Sequence, residues 1–140
     1  MSGRVRTETR DAVGWIVFDH PERRNAISSH MWGELSNAVR AFAEDDSVRV
    51  VVMRGEGNEA FVSGADISQF AGVAGEKTSE RLDSSGGDAF EELSGLEKPL
   101  IAMVQGYCIG GGLAEFLRRH PGEIRVRAFG HVVRMRGLEI

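Results

Sequence analysis

Residues 98–112, KPLIAMVQGYCIGGG, place a short apolar run between a proline and three successive glycines. The apolar part, residues 100–104, suits a buried strand and is far shorter than the roughly 20 apolar residues of a membrane span. Adjacent glycines favour a sharp turn, because they allow backbone conformations and close approaches that a side chain prevents. The stretch therefore predicts a buried strand that turns abruptly towards a helix.

Upstream of this stretch, strand patterns and helix patterns alternate along the chain. Segments that alternate in polarity, or that are rich in bulky or β-branched apolar residues, predict strands; they are 4–9, 14–19, 48–53 and 100–104. Segments with helical spacing or a helix-opening residue are 29–42, 66–70 and 76–94, the last with a break at 84–87. Ser28 or Ser29 could cap the first helix. The first two strands are expected to pair antiparallel, and the order of elements predicts an α/β fold with short connections.

Composition and charge exclude several classes of protein. The 140 residues carry a net charge of -4, with 41% hydrophobic and 27% charged residues, which excludes disorder, collagen and coiled coil for the whole chain. Mild acidity argues against a nucleic-acid partner, and the short apolar runs argue against a membrane partner. The single cysteine, Cys108, excludes an intramolecular disulfide and fits a reducing compartment, so we expect a cytoplasmic location.

Two familiar cofactor motifs are not supported. Residues 55–60, GEGNEA, match the pattern G-x-G-x-x-A, but a dinucleotide site requires a long helix that opens inside the motif. Residues 61–64 look extended instead, so we interpret the motif as a turn. No GK[ST] sequence follows a glycine stretch, which argues against a P-loop. His20 and His30 lack metal-ligand spacing, and we predict no metal site.

Two other glycine-containing sites could present unpaired backbone N–H groups, residues 61–67, FVSGADI, and residues 110–112, GGG. Two such N–H groups that converge on one point form an oxyanion hole, which stabilises negative charge on a carbonyl oxygen. Composition alone leaves a simpler alternative open, in which each site is only a tight turn between a strand and a helix.

Three motifs lie at residues 25–27, 60–67 and 98–112. Their sequences, order and intervals resemble those of the crotonase family, whose best-known members are enoyl-CoA hydratases and isomerases. The resemblance covers residues 4 to about 114, roughly the first half of a family member. It implies a crotonase-like α/β spiral of strand-strand-helix units, here incomplete, that assembles into trimers or hexamers. It also implies an acyl-CoA substrate in fatty-acid metabolism. Coenzyme A is then part of the substrate, and no separate cofactor is expected.

The resemblance also assigns the site residues. The backbone N–H groups of Ser63 and Gly111 would form the oxyanion hole, holding the thioester carbonyl and stabilising an enolate. Residues expected to contact coenzyme A, mostly through backbone atoms, are Arg24, Asn25, Ala26, Ala65, Asp66 and Ile67. Three side chains have simpler interpretations: the Ser63 hydroxyl lacks a His–acid partner, Asp66 suits a helix cap, and Cys108 suits a small buried packing residue.

The sequence departs from the family pattern after the third glycine. Hydratases carry an acid/base glutamate where this chain has Ala114, and Glu115 would point about 100° away around a helix. The segment that holds the second family glutamate is absent. General acid/base catalysis typically contributes about 10²–10⁴-fold, so its loss leaves two alternatives to an active enzyme. One is a noncatalytic acyl-CoA-binding or subunit-interaction module, and the other is an inactive truncated gene product.

The last part of the chain differs in charge from the rest. Residues 1–114 carry 11 basic and 18 acidic side chains, whereas residues 115–140 carry six arginines and three glutamates. We therefore divide the chain into an N-terminal part of a crotonase-like domain, 1–114, and an atypical arginine-rich tail, 115–140, without evident periodicity. One possible choice of codons for residues 117–121 gives, in the next frame, the Asp-Ile-Arg-like strand of the family. We hypothesise a frameshift near codons 113–117; the alternative is a tail evolved to bind a partner.

Overall fold

The computed structural model describes residues 3–64, 88–89 and 91–108, together with the backbone of residues 124–128 and 131–135. The strands are β1 (Arg4–Arg10), β2 (Val13–Asp19), β3 (Val50–Gly55), β4 (Ala60–Val62), β5 (Leu100–Met103), β6 (Tyr107–Cys108), β7 (Ile124–Ala128) and β8 (His131–Met135). Helix α1 spans Ser29–Glu44, and a short 3-10 turn spans Pro21–Arg23. Residues 88–89 and 91–95 are also helical, which agrees with the end of the helix predicted over 76–94.

The first two strands form the predicted antiparallel hairpin. Its register runs from Arg4 opposite Asp19 to Arg10 opposite Val13. The connecting residues Asp11 and Ala12 both have positive φ, 49° and 65°. A two-residue turn with positive φ at both positions matches the right-handed twist of the flanking strands, so it closes the hairpin without splaying them.

Four strands form the main sheet in the order β1-β2-β3-β5, with β3 parallel to both β2 and β5. Parallel neighbours require a crossover connection, and α1 supplies it between β2 and β3. Ser28 holds the N-cap position of α1 in an extended conformation. The buried apolar residues of α1 follow the predicted helical spacing: Met31, Leu35, Ala38, Val39 and Phe42.

The core lies between α1 and one face of this sheet. The helix residues share one buried cluster with Ile16 of β2, Met53 of β3 and Ala102 of β5. Because successive strand residues point to opposite faces, a slip of one residue would expose this set. The apolar pattern therefore fixes the register of the parallel strands.

A second, two-stranded sheet pairs β4 with β6 in parallel. Of residues 61–64, expected to be extended, Phe61 and Val62 belong to β4, whereas residues 107–108, predicted as part of a turn, form β6. Strands of two or three residues are too short to show periodicity in a sequence. Gly106 precedes β6 with φ of 69°, and a Cβ there would lie 2.0 Å from the carbonyl oxygen of Glu59.

The tail contains two strands that the sequence analysis did not predict. The β7 and β8 backbones pair antiparallel, from Ile124 opposite Met135 to Ala128 opposite His131. Residues 124–128, IRVRA, do alternate between apolar residues and arginine, so our statement that the tail lacks periodicity was wrong for this segment. The predicted helix at 66–70 lies outside the described residues. In the ranges that the structure describes, no helix is long and apolar enough to cross a membrane.

Candidate functional site

The segment predicted to contact coenzyme A lies in a loop with a fixed backbone. After the 3-10 turn, Arg24 and Asn25 adopt left-handed conformations with φ of 51° and 56°. The N–H of Asn25 donates to the carbonyl oxygen of His20 (2.8 Å), and that of Ala26 donates to the carbonyl oxygen of Arg23 (3.0 Å). Two consecutive non-glycine residues in this region are unusual and are retained only where surrounding contacts hold them.

Asn25 supplies those contacts through its buried side chain. Its Oδ1 accepts a hydrogen bond from the N–H of His20 (2.9 Å), while Nδ2 donates to the carbonyl oxygens of Glu56 (3.0 Å) and Ala60 (2.8 Å). A Cβ at Gly55 would lie 2.7 Å from Nδ2, so a glycine there gives the amide its space. The Asn25 side chain thus joins the loop to β4 and the turn before it, while the N–H groups of Arg24, Asn25 and Ala26 are bonded within the loop.

The residues around the predicted oxyanion donor lie directly beside this loop. The hydroxyl of Ser63 donates to the carbonyl oxygen of Arg23 (3.0 Å). The N–H of Ile27 donates to the carbonyl oxygen of Gly64 (2.8 Å). Two segments that are far apart in sequence therefore meet through hydrogen bonds. The Ser63 hydroxyl thus has a structural partner.

The remaining predicted site residues are not among those that the structure describes. Gly111, the second expected oxyanion donor, and Ala65, Asp66 and Ile67, expected to contact coenzyme A, lie outside the described residues. The pairing of the Ser63 and Gly111 amides therefore stays a prediction.

Arg24 projects from the loop into a surface cluster with two residues that the sequence analysis did not single out for the site. Its Nε donates to a carboxylate oxygen of Glu59 (3.0 Å), and its guanidinium lies 4.9 Å from the centre of the Tyr107 ring. The N–H of Tyr107 also donates to the carbonyl oxygen of Glu59 (3.0 Å). All three side chains are about half exposed. No local pattern indicates this cluster, because its members come from three separate segments.

The two histidines near the loop contact neighbouring polar groups. The buried His20 ring places Nδ1 2.9 Å from the carbonyl oxygen of Ala26. His30, in the first turn of α1, contacts the Ser28 hydroxyl through Nδ1 (3.1 Å) and the carbonyl oxygen of Gly3 through Nε2. Over the described ranges, no group of three or more His, Cys, Asp or Glu side chains is arranged to hold a metal ion.

Cys108 behaves as a packing residue. It is partly buried against the core cluster, and burial raises the pKa of its thiol. A raised pKa keeps the thiol protonated at neutral pH, and the thiol is a poor nucleophile in that form. This agrees with the interpretation made from the sequence.

Comparison with known proteins identifies the family. Residues 8–117 match the family described as Enoyl-CoA hydratase/isomerase. The chain is 35% identical over 113 residues to a probable enoyl-CoA hydratase of Bacillus subtilis (strain 168), covering 81% of this chain and 42% of that protein. It is 32% identical over 111 residues to the fatty acid oxidation complex subunit alpha of Shewanella frigidimarina (strain NCIMB 400), covering 79% of this chain and 16% of that protein.

The fold matches as well. A solved enoyl-CoA hydratase/isomerase from Xanthobacter autotrophicus Py2 superimposes with a TM-score of 0.74 and 30% identity, over 89% of this chain and 49% of that chain. The predicted crotonase-like α/β architecture is confirmed, and the chain spans about half of that solved protein. By sequence profile and by fold, this chain belongs to the enoyl-CoA hydratase/isomerase family.

Proposed function

We propose that the protein acts on acyl-CoA thioesters in fatty-acid metabolism. In this proposal, the N–H groups of Ser63 and Gly111 bind the thioester carbonyl and stabilise the negative charge of an enolate. Donors that are already fixed before the reaction stabilise such charge most effectively, since they need not reorganise. Family membership supports the proposal, as does the similarity to a subunit of a fatty acid oxidation complex.

The observation that carries the proposal is the connection between the loop and the end of β4. The Ser63 hydroxyl bond to Arg23 and the Ile27 bond to Gly64 hold these two backbones together. A ligand bound along residues 24–26 would therefore have its reactive end beside a rigidly held Ser63 amide. Arg24 would add a positive charge for the phosphates of coenzyme A, and residues 65–67 would complete the contact.

A second candidate is binding without hydration. The resemblance implies that Ala114 replaces the first acid/base glutamate of a hydratase, so an oxyanion hole here would polarise a thioester without that carboxylate. A noncatalytic acyl-CoA-binding or subunit-interaction module fits this observation, and an inactive product is the remaining alternative.

Two measurements separate these possibilities. Hydration of crotonyl-CoA, followed by loss of the enoyl absorbance, would support the enzyme. Thermal stabilisation by coenzyme A without turnover would support the binding module. Neither turnover nor stabilisation would contradict both proposals and favour the inactive product.

Substitutions at Ser63 test the oxyanion donor itself. Ser63→Pro removes the backbone N–H and should lower turnover by about 10²–10³-fold. Ser63→Ala is the matched control, because it keeps the N–H and removes only the hydroxyl bond to Arg23. Equal turnover in the two variants, with unchanged circular dichroism, would contradict the role of the amide.

We also propose that the protein works as a homo-oligomer, a trimer or a hexamer, in the cytoplasm and without a separate cofactor. Sedimentation equilibrium tests the assembly, since a monomer at micromolar concentration would contradict it. Turnover that requires an added metal or cofactor after exhaustive dialysis would contradict the last part.

A further inference from the structure

The main sheet has a second face, opposite α1, which we call the outer face. Because Ile16, Met53 and Ala102 belong to the core against α1, the residues that alternate with them point the other way. Trp15, Arg54 and Met103 are among these outer-face residues. Unlike the core face, the outer face carries a network of ionised side chains.

Four arginines share three carboxylates in this network, and the groups concerned are Arg4, Arg6, Arg10, Arg54, Glu8, Asp19 and Glu56. Arg6 makes the closest contact with each carboxylate, at 2.9 Å to Asp19, 3.0 Å to Glu8 and closer still to Glu56. Arg10 reaches Glu8 only at 3.4 Å, and Arg54 reaches Glu56 only at 3.8 Å. Counted over the described residues, the network therefore has one excess positive charge, and Arg10 and Arg54 lie farthest from the carboxylates that they contact.

These two arginines line the same cavity. Its volume is about 270 Å³, and its other lining residues include Trp15, Gly57, Asn58 and Gln105. The Arg10 guanidinium lies 5.3 Å from the centre of the Trp15 ring, which holds a positive charge over the cavity wall. Among the described residues that line it, none is an aspartate or glutamate, although the chain as a whole is acidic.

We propose that this cavity binds a phosphate group, either as free phosphate or as the monoester of a small metabolite. Guanidinium groups present paired N–H donors whose geometry matches phosphate oxygens. Besides the two arginines, the lining includes the amide side chains of Asn58 and Gln105, which add N–H donors for the oxygens of a phosphate. The bound anion would neutralise the excess charge of the outer face. The site does not depend on the acyl-CoA proposal.

Trp15 provides a direct reporter of occupancy. The chain contains two tryptophans, Trp15 and Trp32, so Trp32→Phe leaves only the one in the cavity wall. We would titrate the full-length Trp32→Phe protein with sodium phosphate, with glycerol phosphate, and with sodium chloride at matched ionic strength. Calorimetric titration of the unsubstituted protein provides a second measurement that does not rely on the Trp32 substitution.

The expected result is a saturable change in Trp15 emission with phosphate and no change with chloride. Free phosphate is the ligand if it binds at least as tightly as glycerol phosphate, and a monoester is the ligand if glycerol phosphate binds more tightly. Arg54→Gln and Arg10→Gln should each weaken phosphate binding about tenfold or more. Arg54→Lys, which keeps the charge, should recover part of the affinity.

Arg4→Gln is the matched control, since Arg4 belongs to the same network and pairs with Asp19 at 3.2 Å but is absent from the cavity lining. It should bind phosphate as the parent does. No saturable response to phosphate would overturn the proposal. So would equal affinity in Arg4→Gln, Arg10→Gln and Arg54→Gln, because it would indicate only general attraction of anions.

Discussion

The side-chain amide of Asn25 donates a 2.8 Å hydrogen bond to the carbonyl oxygen of Ala60, the first residue of β4. The same nitrogen also donates to the carbonyl oxygen of Glu56 (3.0 Å). Asn25 is 1% exposed, so water cannot replace either bond. One buried side chain thus fixes the position of the proposed coenzyme A loop relative to the strand that leads to Ser63.

Asn25→Asp should strongly destabilise the protein. The carboxylate would face two carbonyl oxygens in a buried site, where a lost donor and an unpaired charge together cost about 3 kcal/mol or more. Urea unfolding measures the loss. Asn58→Asp is the control, because it makes the same chemical change at an exposed position, and an equal loss there would contradict the role of Asn25.

Gly106→Ala should destabilise the pairing of β4 with β6. A Cβ at this positive-φ position would lie 2.0 Å from the carbonyl oxygen of Glu59, and the resulting strain should cost about 3 kcal/mol. Gly33→Ala should instead stabilise the protein by about 0.5–1 kcal/mol, because Gly33 is exposed within α1 and a Cβ there meets nothing. Thermal unfolding of both variants tests the contrast, and shifts of the same sign would refute it.

Arg24 and Glu59 should affect coenzyme A binding in opposite directions, if the proposed function is correct. Arg24→Gln removes the positive charge and should weaken binding about tenfold. Glu59→Gln keeps an acceptor for Arg24 Nε but removes a nearby negative charge, so binding should strengthen about twofold to threefold. Calorimetric titration measures both affinities. Arg40→Gln, which disrupts a surface pair with Glu92, should leave binding unchanged, and weaker binding in Glu59→Gln would contradict this account.

The ionised Asp19 carboxylate should stabilise the protein at neutral pH, and this contribution to the unfolding free energy should be lost on acidification. Partial burial by itself raises the pKa of Asp19, but hydrogen bonds from Arg6 and Arg4 outweigh it and hold the pKa below its ordinary value of 3.8. The ionised carboxylate therefore stabilises the fold above that value, and the contribution disappears as pH falls through the lowered pKa.

Asp19→Asn should accordingly reduce the unfolding free energy by about 1 kcal/mol at pH 7. The difference from the parent protein should shrink as the pH falls below 3.8. Urea unfolding across this range measures the effect, with Asp46→Asn as a control that removes an exposed carboxylate. A difference in unfolding free energy between Asp19→Asn and the parent that grows on acidification would contradict the predicted pH dependence.

The nucleotide sequence from codon 110 onward tests the frameshift hypothesis for residues 115–140. We expect an overlapping frame that encodes a family-like strand near codons 117–121. A single frame with no such overlapping sequence would eliminate the hypothesis and favour a tail that evolved to bind a partner.

Much of the fold was predictable from local pattern. The hairpin strands, α1, β3 and β5 each contain enough residues for alternation, helical spacing or β-branched enrichment to be visible. The strands β4 and β6 are too short to show such a pattern. They are recognised as strands by their pairing with each other. In the tail, the alternation of apolar residues and arginine at 124–128 is visible in the sequence.

The candidate site shows a similar division. Motif spacing placed Ser63 and residues 24–26 in one proposed site, and hydrogen bonds join these segments. No pattern in the sequence indicates three features of the structure. They are the buried hydrogen bonds of the Asn25 side chain, the contact of Arg24 with Glu59 and Tyr107, and the cavity lined by Arg10 and Arg54. Each brings together groups from segments that are separated along the chain.

The sequence by itself determined the family, because short motifs carry the resemblance. It also determined the strand and helix segments with clear periodicity, because periodicity depends on neighbouring residues. Glycine is abundant partly because backbones approach closely, as at Gly55 and Gly106. The tertiary structure alone decided which polar groups are buried and satisfied, and which charges lack a full partner. Those properties depend on distances across the fold, and no local pattern encodes them.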